Sequence, residues 1–380
     1  MTDQTVISHL TVLLENGDQL PGHHIAVAGG RITGLEPGPP PPGTNVIDGR
    51  GLLAVPGFID LHIQGAGGGC VMDGKPGSID TICRTFAQHG TTGFLLTPIP
   101  AAEDDYRNLR VIRERIQAGP PGTRILGIHL EGPFLNLEYK GGFTGKQFQA
   151  PSLNLLGKYL EVCGPENVKM MTIAPELPGA PEVIEELVRN HIIASVGHTD
   201  GTFDQVRAAF DRGASHVTHM FNAMRGFHHR EPGAVGAALR DPRPSLQVIA
   251  DGYHLHPETI SLLVQNKPLP RINLITDAMR CADMPDGCTY QSFGHTVTVQ
   301  KGRVSLEDGT LAGSTLTMEK AVKNMRAFTG LPLGEAIRMA SLYPAETIGL
   351  AGCKGSLAVG KDADIVLLDS NLEEIGRAHV

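Results

Sequence analysis

From Ser195 to Met224 the chain reads S-V-G-H-T-D-G-T-F-D-Q-V-R-A-A-F-D-R-G-A-S-H-V-T-H-M-F-N-A-M. The pattern predicts a short apolar strand ending in His198, an amphipathic helix from about Thr202 to Arg212, and a second strand ending in His219. Parallel strands joined by a right-handed helical crossover lie side by side, so their carboxyl ends share an edge. Two imidazoles therefore arrive on one rim. A single histidine there is ordinarily a hydrogen-bonded structural residue. Two of them with a carboxylate make a plausible metal site.

The same alternation of strand and helix fills most of the chain. Strands are expected to end near His62, Thr97, Leu130, Ile173, Gly197, Thr218, Asp251 and Asp277, with helical patterns such as Ser78–His89, Asp104–Gln117 and Pro257–Gln265 between them. Eight parallel strands predict a (β/α)8 barrel of TIM type, whose active sites lie at the carboxyl ends of the strands; an open doubly wound sheet is the alternative. The polar residues at those ends are His62 and Gln64, Glu131, His198, His219, Asp251 and His254, and Asp277. The run G-A-G-G-G from Gly65 lacks the Lys and Ser of a phosphate loop and reads as backbone passing close to the rim.

Both ends of the chain read differently. From Val6 to Leu53 short strands alternate with turns at E-N-G-D and A-G-G-R, followed by a Pro/Gly surface loop from Glu36 to Gly43. The segment A-D-I-V-L-L-D from Ala363 is a further strand able to pair with them. The expected organisation is a small discontinuous β-sandwich module, residues 1–54 and 356–380, beside a (β/α)8 barrel of residues 55–355. Within the barrel segment a hairpin is expected over Tyr290–Leu306, then helices over Ser314–Phe328 and Gly334–Ala340. The last residues, E-I-G-R-A-H-V over 374–380, match the translation of a common sequencing-adapter read. The expectation is an artefactual tail in place of the natural C-terminus, leaving the module without its last strand and with an open edge. Clean resequencing that finds a stop codon directly after Val380 would refute it.

Composition narrows the partners. The formal net charge is -8 and no Lys/Arg run occurs, which argues against nucleic acid or an acidic membrane surface. Six cysteines are scattered without C-x-x-C spacing, the pattern of reduced thiols in a cytosolic protein. Neither a basic, then apolar leader nor an apolar run of about 18 residues is present, so a cytoplasmic location is expected.

A divalent metal needs neutral imidazole and carboxylate ligands and one position open to water, and Glu131, His198 and His219 supply such a set. Binding brings the water toward a neutral pKa, making hydroxide available. Asp277 is then the natural general base, taking the water proton and returning it to a leaving nitrogen. Structural alternatives stand beside these roles: Glu131 in H-L-E-G-P could cap a turn, and Asp277 in T-D-A-M a helix.

Eight motifs then carry a resemblance. They are P-G-F-I-D-L-H-I-Q-G at Pro56, H-L-E-G-P-F at His129, V-G-H-T at Val196, T-H-M-F-N-A-M at Thr218, R-E-P-G at Arg230, D-G-Y-H at Asp251, T-D-A-M at Thr276 and L-A-G-S-T-L-T-M at Leu311. In this order, over nearly the whole chain, they resemble the N-acetylglucosamine-6-phosphate deacetylases of the amidohydrolase superfamily. The resemblance implies hydrolysis of N-acetylglucosamine 6-phosphate to glucosamine 6-phosphate and acetate. It implies Glu131, His198 and His219 as ligands of one divalent metal, Zn2+ with Fe2+ or Mn2+ as alternatives, and Asp277 as the catalytic aspartate. It assigns Asn222, the backbone at Ala223, His254 and Arg230 to the sugar phosphate, with Arg230 reaching the neighbouring site of a homodimer.

Two departures stand out. Where some relatives carry H-x-H after the first strand, this chain has His62 and Gln64, which predicts one tightly held metal and at most a weak second site at His62. Where the pattern usually shows K-G-x-H, the chain has Lys140-Gly141-Gly142-Phe143. Phe donates no hydrogen bond, and losing one oxyanion donor costs about a hundredfold in turnover. This favours a variant of the same chemistry, acting on N-acetylgalactosamine 6-phosphate or another N-acyl amino sugar phosphate. A catalytically idle sugar-phosphate-binding protein is the alternative of another class.

Overall fold

The computed structural model describes residues 4–42, 44–100, 105–292, 294–372 and 374–378. Gly43, Asp104 and the last two residues of the tail lie outside this set.

Eight parallel strands follow one another around a barrel: Phe58–Ile63, Thr91–Leu96, Arg124–Glu131, Val168–Ile173, Ile193–Val196, His216–Val217, Ser245–Ile249 and Ile272–Ile275. Most are buried along their whole length, as expected for strands packed on both faces. The helices between them are amphipathic. Phe203–Asp211, for example, buries Val206, Ala209 and Phe210 at helical spacing, and its start is fixed by a reciprocal cap between Thr202 and Gln205. The first and eighth strands meet through a parallel bridge between Ile63 and Ala278 and a bond from the Asp277 N–H to the His62 carbonyl (3.1 Å). The buried Asp60 carboxylate reinforces this seam by accepting from the backbone N–H and hydroxyl of Thr276; burial, partly offset by those bonds, pushes its pKa up to about 7.

The expected hairpin is one part of a larger element. Thr289–Ser292, His295–Gln300, Arg303–Leu306 and Leu311–Ser314 form a four-stranded antiparallel sheet with its own small core of Met279, Cys281, Val297, Val299, Val304 and Ala312. The D-G turn at Asp308-Gly309 supplies the extra reversal, with Gly309 at φ +85°. Ser314 anchors this sheet to the rim, its N–H donating to the Asp277 carbonyl (2.9 Å) and its own carbonyl accepting from Met279 N–H (3.1 Å).

Both ends of the chain build a seven-stranded sheet. Its central strand, Thr5–Leu13, pairs with Asn45–Asp48 over its first half and with Leu53 and Ala54 over its second; the switch falls at a bulge where His9 has φ +60°. Ile365–Leu368 pairs antiparallel with Leu53–Pro56, joining the two ends as the sequence predicts. The tail departs from expectation: Glu374–Ala378 pairs with Ile365–Leu368 and occupies the edge. A ladder is made by main-chain groups, so an extended segment of almost any sequence can satisfy it.

Candidate metal centre

Among the described residues, Glu131, His198 and His219 form the group whose ligand-type atoms all lie within 4.8 Å of one another. Glu131 Oε1 lies 3.2 Å from Nε2 of each imidazole, and the two Nε2 atoms are 3.1 Å apart. All three residues are buried. His198 Nδ1 is 2.7 Å from the Tyr139 carbonyl, which can only accept, so Nδ1 carries the hydrogen and Nε2 turns its lone pair to the cluster. Gln64 donates from Nε2 to Glu131 Oε2 (2.8 Å), orienting the carboxylate so that Oε1 faces the imidazoles. Three ligand atoms converging on one point, with His198 and Glu131 braced by hydrogen bonds behind them, fit a divalent cation.

The electrostatics follow from burial. Burial alone would raise Glu131, but the charge of the neighbouring His62 leads the effects that hold it well below the usual carboxylate range. Burial keeps His219 below the ordinary histidine value, which favours the neutral ring a metal requires. His62 Nε2 sits 3.4 Å from Glu131 Oε2 and 3.3 Å from Asp277 Oδ1, bridging the cluster to Asp277.

Backbone strain concentrates at the same place. His198, His219 and Asp277 have φ of 47°, 26° and 51°, in the left-handed region that residues with a side chain rarely adopt. Each strand ends in such a kink, which turns a side chain over the mouth of the barrel. The glycine run behaves as expected: a Cβ at Gly65 would lie 2.5 Å from the Gly69 carbonyl and 2.7 Å from the Arg280 nitrogen, so only glycine lets these backbones pass.

The cluster opens into a cavity of about 270 Å3 that Glu131, His198, His219, Asn222, Ala223, His254 and Asp277 all line. His254 is held by Asp251, Nδ1 to Oδ2 at 2.7 Å; burial opposes its charge, yet the Asp251 hydrogen bond and charge raise its pKa. Asn222 spends its amide nitrogen on the carbonyls of His219 and Met220, both at 3.2 Å. Asp277 Oδ1 is buried without a hydrogen-bond partner. Arg230 is not brought to this cavity: it is exposed, with Nη1 2.8 Å from His229 Nε2.

A sequence model of the amidohydrolase family matches residues 53–379. The chain is 40% identical over 361 residues to an N-acetylgalactosamine-6-phosphate deacetylase of Escherichia coli O157:H7, covering 95% of this chain and 94% of that one. It is 34% identical over 381 residues to an N-acetylglucosamine-6-phosphate deacetylase of Bacillus subtilis (strain 168), covering 99% and 96%. The solved N-acetylglucosamine-6-phosphate deacetylase from Pasteurella multocida superposes with a TM-score of 0.92 at 30% identity, covering 99% and 98%. The chain belongs to the amidohydrolase family.

Within it, the resemblance to the N-acetylglucosamine-6-phosphate deacetylases holds. Amidohydrolases are metal-dependent, and the Glu/His/His cluster supplies the ligand types such a site needs. Phe143, where the resemblance led to the expectation of a histidine, is buried among Ile99, Leu135 and Phe148 and leans on the His198 ring with centroids 5.3 Å apart. With Met279, Val297, Leu306, Leu311 and Ala312 it gives the cavity an apolar wall, most of it contributed by the antiparallel sheet.

Some supporting residues escape the sequence reading. Gln247 accepts from His62 Nδ1 (3.0 Å) and from the His219 N–H (3.2 Å); a lone glutamine interrupting the apolar strand S-L-Q-V-I was the available signal. Glu176 accepts from Asn136, Thr199 and the Asp200 N–H and so clamps the turn after His198, but nothing local in A-P-E-L distinguishes it. Among the described residues, no helix is long and apolar enough to cross a membrane.

Proposed function

We propose that the chain is a metal-dependent deacetylase that hydrolyses N-acetylglucosamine 6-phosphate to glucosamine 6-phosphate and acetate. The convergence of Glu131, His198 and His219 beside Asp277 in one cavity carries this reading, and the activities named for the relatives support it. The three clustered residues would hold one divalent ion, Zn2+ by preference, with Fe2+ and Mn2+ accepted by the same ligands. Gln64 is engaged as a donor to Glu131, which supports a single tight site with His62 at most a weak second one. When bound, the ion polarises the acetyl carbonyl and lowers the pKa of attacking water.

The chain's own groups do the rest. Asp277 presents an oxygen with no competing hydrogen bond, suited to take the water proton and return it to the amine as the amide C–N bond breaks. His254, held by Asp251, lies where it can donate to the sugar phosphate. Asn222 has committed its nitrogen, so its oxygen is left to accept from a sugar hydroxyl, next to the backbone of Ala223. Arg230 offers a fixed fork of donors for a phosphate, and its exposed position agrees with service to the neighbouring site of a homodimer. We read residues 1–54 and 356–380 as one module and 55–355 as the catalytic barrel, in a cytoplasmic protein.

A second reading, N-acetylgalactosamine 6-phosphate as substrate, is favoured by Phe143 and by the 40% identical relative of that activity. Acetate release from both epimeric sugar phosphates, with and without chelator, tests both. Chelator-sensitive turnover of the gluco epimer is expected. Faster turnover of the galacto epimer would move the assignment, and binding of either without acetate would leave only an idle binder.

A further inference from the structure

Barrel interiors are ordinarily filled by layers of branched apolar side chains. Here one layer is polar, and its members form a single hydrogen-bonded chain. His129 Nε2 meets Thr172 Oγ1 (2.8 Å), which meets Thr218 Oγ1 (2.8 Å), which meets Ser195 Oγ (2.6 Å). Ser195 meets His216 Nδ1 (3.0 Å), His216 Nε2 meets Asn273 Nδ2 (3.5 Å), and the same nitrogen meets Thr347 Oγ1 (3.0 Å). Both ends are carbonyls: Leu61 opposite His129 Nδ1 (3.0 Å) and Tyr343 opposite Thr347 Oγ1 (2.9 Å).

Carbonyl oxygens only accept, and that fixes the direction of every link. Thr347 gives its hydrogen to Tyr343 and must accept from Asn273. The other Asn273 hydrogen points at His216 Nε2, so His216 carries its own hydrogen on Nδ1 and donates to Ser195. Ser195 then donates to Thr218, Thr218 to Thr172, and Thr172 to His129 Nε2, leaving the His129 Nδ1 hydrogen for Leu61. Donors diverge from Asn273, whose amide nitrogen carries the two hydrogens this requires.

We propose that this chain is a positioning relay for the metal centre, with Asn273 as its point of divergence. It rests on the reading that Glu131, His198 and His219 hold a metal. Each strand that delivers one of the three clustered ligands or Asp277 contributes a member just below it: Thr218 next to His219, His129 two residues before Glu131, Ser195 three before His198, and Asn273 four before Asp277. A break in the chain frees those strand ends to shift, and a loss of support behind a ligand ordinarily costs metal sites about 10- to 100-fold in affinity.

The test uses the Zn2+-loaded enzyme labelled with 15N-histidine, with Zn2+ affinity measured by chelator competition. Wild type should show His129 and His216 as Nδ1–H tautomers. Thr218→Val, equal in shape but without the hydroxyl, should bind Zn2+ about tenfold or more weakly, and Thr218→Ser should restore the wild-type value. Asn273→Asp, which can only accept, should switch His216 to the Nε2–H tautomer, a signature that loss of packing alone does not produce. An Nε2–H tautomer of His216 in wild type, or unchanged Zn2+ affinity in folded Thr218→Val, overturns the relay. Wild type that retains no Zn2+ overturns the metal reading itself and, with it, the relay's purpose.

Discussion

At the rim of the barrel His62 Nε2, Gln64 Oε1, His219 Nδ1 and Asp277 Oδ1 are buried without hydrogen-bond partners, and three of the strand ends are in left-handed backbone. One layer below, His129, Thr172, Ser195, Thr218 and His216 spend their donors and acceptors on one another. The two regions share burial and residue types, so neither property explains the difference. What separates them is their partner: in the lower layer these five side chains satisfy one another and only Asn273 Oδ1 is left over, whereas the rim is arranged for a ligand that is not part of the chain. Unsatisfied buried groups and strained backbone cost stability, and they persist where function requires them.

The largest expected effect comes from the metal. Chelation should abolish acetate release, and because a ligand that binds only the native state stabilises it, holoprotein at about 1,000-fold excess over Kd should gain roughly 4 kcal/mol over apoprotein. Calorimetry of the two forms checks this, and equal melting temperatures would break the contrast between rim and layer. Next, Asp277→Asn should lower kcat by about 10²- to 10⁴-fold while leaving bound metal in place. Since Asp277 Oδ1 makes no hydrogen bond and faces only His62 Nε2, at 3.3 Å, the melting temperature should stay close to that of the wild type. A marked drop would assign Asp277 to the self-completed layer instead.

A smaller effect concerns pH. Burial holds His216 neutral to about 3, against an ordinary value of 6.5. As pH falls through 6.5 the unfolded chain takes up a proton that the native chain refuses, so stability present above 6.5 is lost toward 3. The slope contributed approaches about 1.4 kcal/mol per pH unit. Denaturant titrations of apoprotein should show it, and His216→Gln should flatten it. The smallest effect is at Arg230, where Arg230→Ala should raise KM several-fold with the fold intact. Mixing it with Asp277→Asn should recover activity if the arginine serves its neighbour, and no recovery would place it in its own site.

Much of this was legible in the residues. The period of apolar residues and the turn signals located all eight barrel strands, because strands buried on both faces leave a dense apolar signal that polar residues punctuate at the rim. Glu131, His198, His219, Asp277 and His254 stood at those punctuation points. The four-stranded sheet was only half visible: its strands are short and partly exposed, and the fourth is recognisable only once its partner is known. Gln247 and Glu176 were overlooked because their importance lies in what they touch across 28 and 24 residues of chain. The tail was read for its origin, and its pairing could not be seen from side chains, since a ladder is indifferent to them.

Local pattern and residue chemistry thus determined that this chain builds a barrel and which side chains reach its mouth, because periodicity and strand direction are properties of neighbouring residues. Tertiary structure alone decided which nitrogen of His198 carries its hydrogen, which Glu131 oxygen faces the cluster, and that Phe143 rather than a donor lies against His198. Those outcomes depend on groups distant in sequence, and only closure of the barrel brings them within bonding distance.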